Sequence, residues 1–127
     1  MPQPTTCSAT LVDKANLVVS ILEDQIREAA VAYRVRDEVN SQIAQQKPTN
    51  IVLDLSKVKF IGSVGFLAFL GVRRHLGGGR IILCNVAESV REVFAVCRLI
   101  PTNANNAAPF EIADDTAGAL AQLLAPR

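Results

Sequence analysis

The chain has 127 residues, half of them hydrophobic and a fifth charged, with a formal net charge of +1. This length and composition indicate a single globular domain over residues 1–127 that buries a core without metals or disulfides, and they exclude a disordered chain. A charge so close to neutral excludes a general attraction to nucleic acid or to an anionic membrane surface.

Cysteine and histidine usage gives no sign of a metal or cofactor site. The three cysteines, Cys7, Cys84 and Cys97, show no C-x-x-C spacing, and the chain has one histidine, so we expect no metal. Two of the cysteines lie in apolar surroundings and are predicted to be small core residues. No basic-then-apolar signal opens the chain, and no apolar run reaches the ~18 residues of a membrane span. We therefore expect a cytoplasmic protein.

The first part of the chain predicts a tail and a hairpin. Residues 1–6 are rich in Pro and Thr and are expected to form a loose tail. Apolar runs at 8–12 and 17–22 flank a polar turn that contains asparagine, which is typical of a β-hairpin. A polar break at 23–28 follows, and we predict no strand or helix within it.

From residue 29 the hydrophobic residues follow a helical period. They recur every four positions among charged and amide side chains, which predicts an amphipathic helix of about four turns. The positions of this stripe are Val31, Val35, Val39 and Ile43. The segment 47–50, which contains a proline, ends the helix and leads into a strand.

The stretch 51–76 organises the rest of the chain. It opens with an apolar, largely β-branched run at 51–53, which predicts a strand buried on both faces, as in a parallel sheet. After a short linker, the apolar run from Phe66 to the polar segment 73–75 predicts a helix. Ser63 is thereby placed at the start of a helix, just past the end of a central strand.

Further strands and helices alternate in the remaining sequence. A loop at 77–79 ends the preceding helix, and a strand at 80–84 and a helix at 88–97 follow it. Next come a surface loop at 102–109 and a strand at 110–112. The last helix is capped by Asp114 or Asp115 and ends at Leu124. The predicted inner faces of the last two helices are Val90, Val93, Phe94 and Cys97, and Leu120, Leu123 and Leu124. This order predicts an α/β domain with a mixed sheet and helices packed on it.

The Ser63 hydroxyl has two possible uses at a helix start. It can cap the helix by accepting from backbone N–H groups, or it can carry a phosphate, which the positive end of the helix dipole favours. Helical spacing places Leu67 away from the sheet and Val64 at the edge of that face, so they form either ordinary surface or a docking patch. Asp54 either orients a hydroxyl or backbone group or is a strand-end residue bonded to a nearby loop.

Signatures of catalysis are mostly absent. His75 follows two arginines at the solvated end of a helix, and Gly62-Ser63-Val64-Gly65 lacks the G-x-S-x-G spacing of a nucleophile elbow. The glycines at 77–79 follow a helix and form no dinucleotide-binding loop. We expect no catalytic residues, but a small enzyme or nucleotide-binding domain that uses Asp54 and Ser63 stays open as a rival interpretation.

A longer pattern across the central strand and the helix start supports a family resemblance. It consists of Val52-Leu53-Asp54-Leu55-Ser56, then Val58, Phe60, Ile61, Ser63 and Gly65. This pattern resembles the signature of STAS domains and is most similar to that of the bacterial anti-sigma factor antagonists. The resemblance extends over nearly the whole chain and implies a mixed sheet of about five strands with about four flanking helices.

The resemblance also implies a function in partner switching. The unmodified domain would bind an anti-sigma factor that is itself a serine kinase, which would release its sigma factor. The kinase would then phosphorylate the position that matches Ser63, and a phosphatase would reset it. Gly62, Val64, Gly65 and Leu67 would form the docking surface around this serine, and Asp54 matches the strand-end acid of the family.

Two positions beside the phosphoacceptor differ from the family pattern. Gly62 stands where the family usually has aspartate, and Val64 stands where serine or threonine is common. A second interpretation follows from these differences: a constitutive STAS subunit of a signalling scaffold or of a lipid-transport complex.

Overall fold

The computed structural model describes residues 6–101 and 108–124, and its elements follow the predicted order with two short strands added. In chain order these elements are β1 (Cys7–Val12), β2 (Asn16–Ile21), β3 (Gln25–Ile26), α1 (Ala29–Gln46), β4 (Asn50–Asp54), β5 (Phe60–Ile61), α2 (Ser63–Leu76), β6 (Ile81–Cys84), α3 (Glu88–Val96), β7 (Glu111–Ala113) and α4 (Thr116–Leu124). Most of the predicted tail and most of the predicted loop at 102–109 lie outside the described residues.

The main sheet has the strand order β1-β2-β4-β6-β7. Strands β1 and β2 form the predicted antiparallel hairpin, and the other neighbouring strands of this sheet run parallel. The central strand β4 is buried on both faces: Ile51 and Leu53 join a larger core on one side, while Val52 joins a smaller core on the other. The predicted α/β class with a mixed sheet is therefore confirmed.

Helices cover both faces of this sheet. The larger core lies under α1, α2 and α3, and α4 closes the smaller core with the fully buried Ala119. Helix α1 has 18 residues, about five turns rather than the four predicted. Its buried positions repeat every three or four residues, at Ala32, Val35, Val39 and Ile43. Val31, the first residue of the predicted stripe, is only half-buried.

Three residues predicted to face the core lie at the surface instead. Val93 is 42% exposed, Leu124 is 82% exposed and Cys97 is exposed as well. Helix α3 has nine residues and buries only Val90 and Phe94, a narrow stripe one turn apart that leaves Val93 at its flank. Cys97 follows the last residue of that helix, so it is no longer on the helical stripe.

Thr6, the last residue of the predicted loose tail, is fully buried. Its N–H and its Oγ1 both donate to the Oε1 atom of Glu38 on α1, at 2.7 and 2.8 Å. A charged acceptor makes such hydrogen bonds stronger than neutral ones. The segment that enters β1 is therefore fixed to α1 at Thr6.

Two of the three cysteines, Cys7 and Cys84, are buried, whereas Cys97, which was predicted on the inner face of its helix, is exposed. Burial, with the Glu38 carboxylate nearby, raises the pKa of Cys7 to about 11, and burial also raises the pKa of Cys84. Such thiols stay protonated and unreactive at neutral pH. Within the described residues, no three His, Cys, Asp or Glu side chains come together as a metal site would require. No helix of this part of the chain is long and apolar enough to cross a membrane.

Strands β3 and β5 were not predicted. They pair in parallel as a separate two-stranded sheet, with Ile26 and Ile61 buried beneath it. Each strand has only two residues, too few for a hydrophobic period to appear in the sequence. The small sheet is important because it leads directly into α2 and fixes the position at which that helix begins.

Gly79 is the position where the loop after α2 can least accept a side chain. A Cβ there would lie 1.9 Å from the carbonyl oxygen of Thr49, whose own N–H is bound to the Ala15 carbonyl at 2.7 Å. We expect Gly79→Ala to lower the free energy of unfolding by about 2 kcal/mol, because backbone must move to admit the methyl group. Gly78→Ala is the matched control, since nothing lies within 4 Å of a Cβ at Gly78. Equal urea midpoints for the two variants would contradict this account.

Candidate functional site

Ser63 is the first residue of α2, and Gly62 is the N-cap. The capping role considered for the Ser63 side chain is therefore wrong, because the cap position belongs to the preceding residue. The N–H of Gly62 donates to the carbonyl of Ile26 at 2.8 Å, and the Gly62 carbonyl accepts the first bonds of the helix. The β3–β5 pair thus sets the start of α2 and leaves the Ser63 side chain without a capping role.

The Ser63 side chain is exposed, and its hydroxyl has no hydrogen-bond partner among the described residues. The first turn of α2 also contains no acidic side chain. The positive end of the helix dipole at this corner is therefore not offset by a carboxylate of its own helix. A phosphate on Oγ would place its negative charge where the dipole favours it, so we expect the fold to tolerate a phosphate there.

Exposed apolar side chains precede Ser63 on β5 and follow it on the next turn of α2. Leu67, one turn further along α2, is 62% exposed, and Phe60, at the start of β5, is 43% exposed. The Phe60 ring lies beside Gly62, with its edge 3.7 Å from the Cβ position of that glycine. Together with the half-buried Val64, these residues form what we call the Ser63 surface: Phe60, Gly62, Ser63, Val64 and Leu67.

Gly65 does not belong to that surface, although the sequence analysis placed it there. It is buried, and a Cβ at this position would lie 2.5 Å from Cγ2 of Ile61 and 3.0 Å from Cγ2 of Ile26. The glycine allows α2 to pack directly on the small sheet. Its role is therefore in packing beneath Ser63, and a docked partner would not reach it.

Sequence reasoning missed two residues beside Ser63. Phe60 is exposed although Val58, two residues earlier, is buried, so no alternating pattern marks it. Arg27 lies in the polar break, where nothing in the sequence indicates a contact. The structure places its guanidinium over the Phe60 ring, 4.7 Å from the centroid. Only the pairing of β3 with β5, which are far apart in sequence, brings the two side chains together.

Asp54 is bonded to neighbouring strand ends and makes no hydrogen bond to Ser63 within the described residues. Its Oδ1 accepts from Asn85 Nδ2 and from the Ser56 N–H, each at 3.0 Å, and its Oδ2 accepts from Ser20 Oγ at 3.3 Å. These partners belong to β2, to the residue after β6 and to the turn after β4. The carboxylate therefore holds the ends of three adjacent strands together, which agrees with the interpretation of a bonded strand-end residue.

The same contacts predict how stability depends on pH. Burial raises the pKa of the Asp54 carboxyl, but the hydrogen bonds from Asn85, Ser56 and Ser20 outweigh it and hold the pKa below its usual 3.8. A carboxyl with a lowered pKa stabilises the fold at neutral pH, and this contribution is lost as the pH falls below about 4. As the pH falls below about 4, the free energy of unfolding in urea should decrease more steeply for the native protein than for Asp54→Asn. Parallel pH profiles would contradict the prediction.

The fold and the motif around Ser63 decide the family. The family model of the STAS domain matches residues 28–112, about two thirds of the chain. The chain belongs to the STAS domain family. The resemblance inferred from the sequence is thereby confirmed. No curated protein matches the sequence significantly.

Solved structures similar to this STAS domain include anti-sigma factor antagonists. Unphosphorylated SpoIIAA, an anti-sigma factor antagonist, has a TM-score of 0.66 and 20% identity, covering 94% of this chain and 99% of its own. Phosphorylated SpoIIAA of Bacillus has a TM-score of 0.65 and 21% identity, with coverages of 92% and 98%. A serine-to-glutamate variant of RsbS from Moorella thermoacetica has a TM-score of 0.69 and 16% identity, with coverages of 94% and 96%. At these identities, the likeness concerns the fold.

Proposed function

We propose that this STAS domain is a non-enzymatic, partner-switching antagonist of an anti-sigma factor in the bacterial cytoplasm, with Ser63 as its phosphoacceptor. The observation that carries the proposal is the exposed Ser63 hydroxyl, which has no hydrogen-bond partner among the described residues. The apolar Ser63 surface around it offers a partner area to bury. The similarity to SpoIIAA in both its unphosphorylated and phosphorylated forms adds support, because the same fold accommodates both states.

The switch would work through two balanced reactions. A serine kinase transfers the γ-phosphoryl group of ATP to Ser63 Oγ: the bond from phosphorus to ADP breaks, the Oγ–P bond forms, and the hydroxyl proton passes to the base of the kinase. A phosphatase restores the hydroxyl by adding water across the Oγ–P bond, which releases inorganic phosphate. The unmodified domain would occupy the anti-sigma factor, and the phosphorylated domain would release it.

Phosphorylation would disrupt docking at Ser63 for a physical reason. It adds about −1.5 to −2 charges and three acceptor oxygens to the Ser63 surface, whose own residues are all uncharged. A partner that supplies no cation of its own would have to bury this hydrated dianion when it is seated on Leu67 and Phe60. That burial costs several kcal/mol, whereas the isolated domain keeps the phosphate in water.

Incubation with a cognate serine-kinase anti-sigma factor tests the proposal directly. After incubation with ATP, we expect mass spectrometry to find one phosphate on the peptide that contains Ser63, and none after Ser63→Ala. Ser89→Ala is the matched control, because Ser89 is also exposed and lies in the first turn of α3. A kinase that binds the domain but leaves Ser63 unmodified would contradict the switch and favour a constitutive scaffold subunit.

A further inference from the structure

Arg27 lies directly beside the residue that precedes Ser63. The Gly62 N–H donates to the Ile26 carbonyl at 2.8 Å, and a Cβ at Gly62 would lie 3.5 Å from the Cα of Arg27. With standard backbone dimensions, the Cα atoms of Arg27 and Ser63 are therefore at most about 9 Å apart. The side chains of an extended arginine and of a phosphoserine together cover that distance.

The Arg27 guanidinium is not committed to a strong partner in the unmodified protein. It lies 4.7 Å from the centroid of the exposed Phe60 ring, and within the described residues it has no hydrogen bond or ion pair. A cation–π contact at an exposed site is weak, whereas a guanidinium binds a phosphate through paired, charge-assisted hydrogen bonds. Gly62 contributes no side chain between the two groups, and the first turn of α2 contributes no competing carboxylate.

We propose that Arg27 is the intramolecular ligand of a phosphate on Ser63, and that phosphorylation moves its guanidinium from the Phe60 ring to the phosphate. This inference rests on the proposed function, since it requires a phosphate at that position. The modification then changes the Ser63 surface in two ways, because it adds a bound phosphate and uncovers the face of Phe60. Arg27 would thus determine the conformation and charge that a partner or a phosphatase meets.

The test uses the full chain with phosphoserine inserted at position 63 during translation, so that no kinase is needed. The pKa of the phosphate is measured by ³¹P NMR titration. Other charged side chains on the adjoining segments are Asp24 and Glu28 near Arg27, and Lys57 and Lys59 before Phe60. We expect the second pKa of the phosphate to lie below its usual value of about 6, and to rise by about half a unit or more in Arg27→Gln. Lys57→Gln, which removes a positive charge from the segment before Phe60, should leave it nearly unchanged.

A second readout reports on Arg27 itself. The Nε–H resonance of Arg27 should shift between the serine and phosphoserine forms of the native sequence, as the guanidinium leaves the ring and binds the phosphate. An unchanged resonance, or equal phosphate pKa values in the native and Arg27→Gln proteins, would overturn the inference. Neither result concerns transfer by a kinase, so failure of this inference is distinguishable from failure of the proposed function.

Discussion

Ser63→Glu is expected to weaken binding of the proposed anti-sigma partner about a thousandfold, which corresponds to about 4 kcal/mol. The glutamate places a negative charge at the centre of the Ser63 surface, between Phe60 and Leu67. A partner that buries this surface and provides no counter-charge must remove the carboxylate, with any contact it makes to Arg27, from water, and that costs several kcal/mol. The measurement is a titration of the purified domain into the partner at fixed ionic strength, compared with the native sequence.

The same substitution should leave the fold nearly unchanged. Ser63 is exposed and its hydroxyl makes no hydrogen bond within the described residues, so no internal contact is lost. A carboxylate in the first turn of a helix also interacts favourably with the helix dipole. We therefore expect the free energy of unfolding in urea to stay within about 1 kcal/mol of the native value.

Two variants control for the site and for the added charge. Ser89→Glu introduces the same side chain into the first turn of α3, at another exposed position, and should leave the affinity nearly unchanged. Ser63→Ala should bind the partner as the unmodified protein does, and should keep binding after incubation with ATP. If Ser63→Glu binds as tightly as the native domain, the switch is wrong and the constitutive scaffold is the better account.

The sequence predicts the main sheet well because its central strand is buried on both faces and therefore needs apolar residues at successive positions. Ile51, Val52 and Leu53 face cores on both sides of β4, so the strand appears as an unbroken apolar run. The pair β3 and β5 could not be found in the same way. The stability of that pair depends on a contact between Ile26 and Ile61, which only the folded chain brings together.

The sequence predicts those features of the candidate site that depend on local structure, and it misses those that depend on the pairing of distant strands. Ser63 at a helix start follows from the strand and helix patterns, but the cap assignment differed by one residue, because glycine and serine both serve as N-caps and helix boundaries vary at this scale. Gly65 was assigned to the docking surface by the family resemblance alone, whereas its helical spacing puts it on the same face as the buried Phe69 and Val72. Arg27 was missed because its position over Phe60 results from strand pairing across distant segments.

Phe94→Ala is expected to lower the free energy of unfolding by about 3–5 kcal/mol, the largest effect on stability that we predict. The Phe94 ring is fully buried, and it contacts three other aromatic rings. Its centroid lies 4.7 Å from that of Phe66 in an edge-on arrangement, 6.2 Å from that of Phe69 and 6.1 Å from that of Phe110. Truncation leaves a cavity at the point where α2, α3 and the entry to β7 meet, and it removes the aromatic pairs as well.

Val93→Ala is the matched control, because Val93 precedes Phe94 on the same helix and is 42% exposed. Both substitutions introduce alanine, which has a higher helix propensity than the residue it replaces, into α3. A difference in helix propensity therefore cannot explain a loss of stability that occurs only in Phe94→Ala. Urea unfolding should show a midpoint far below native for Phe94→Ala and one close to native for Val93→Ala, with a similar slope in both transitions. If the two variants lost a similar amount of unfolding free energy, the aromatic cluster would not be what holds α3 in place. Since Phe94 lies in the core and Ser63 at the surface, Phe94→Ala should bind the proposed anti-sigma partner normally under conditions in which the variant remains folded.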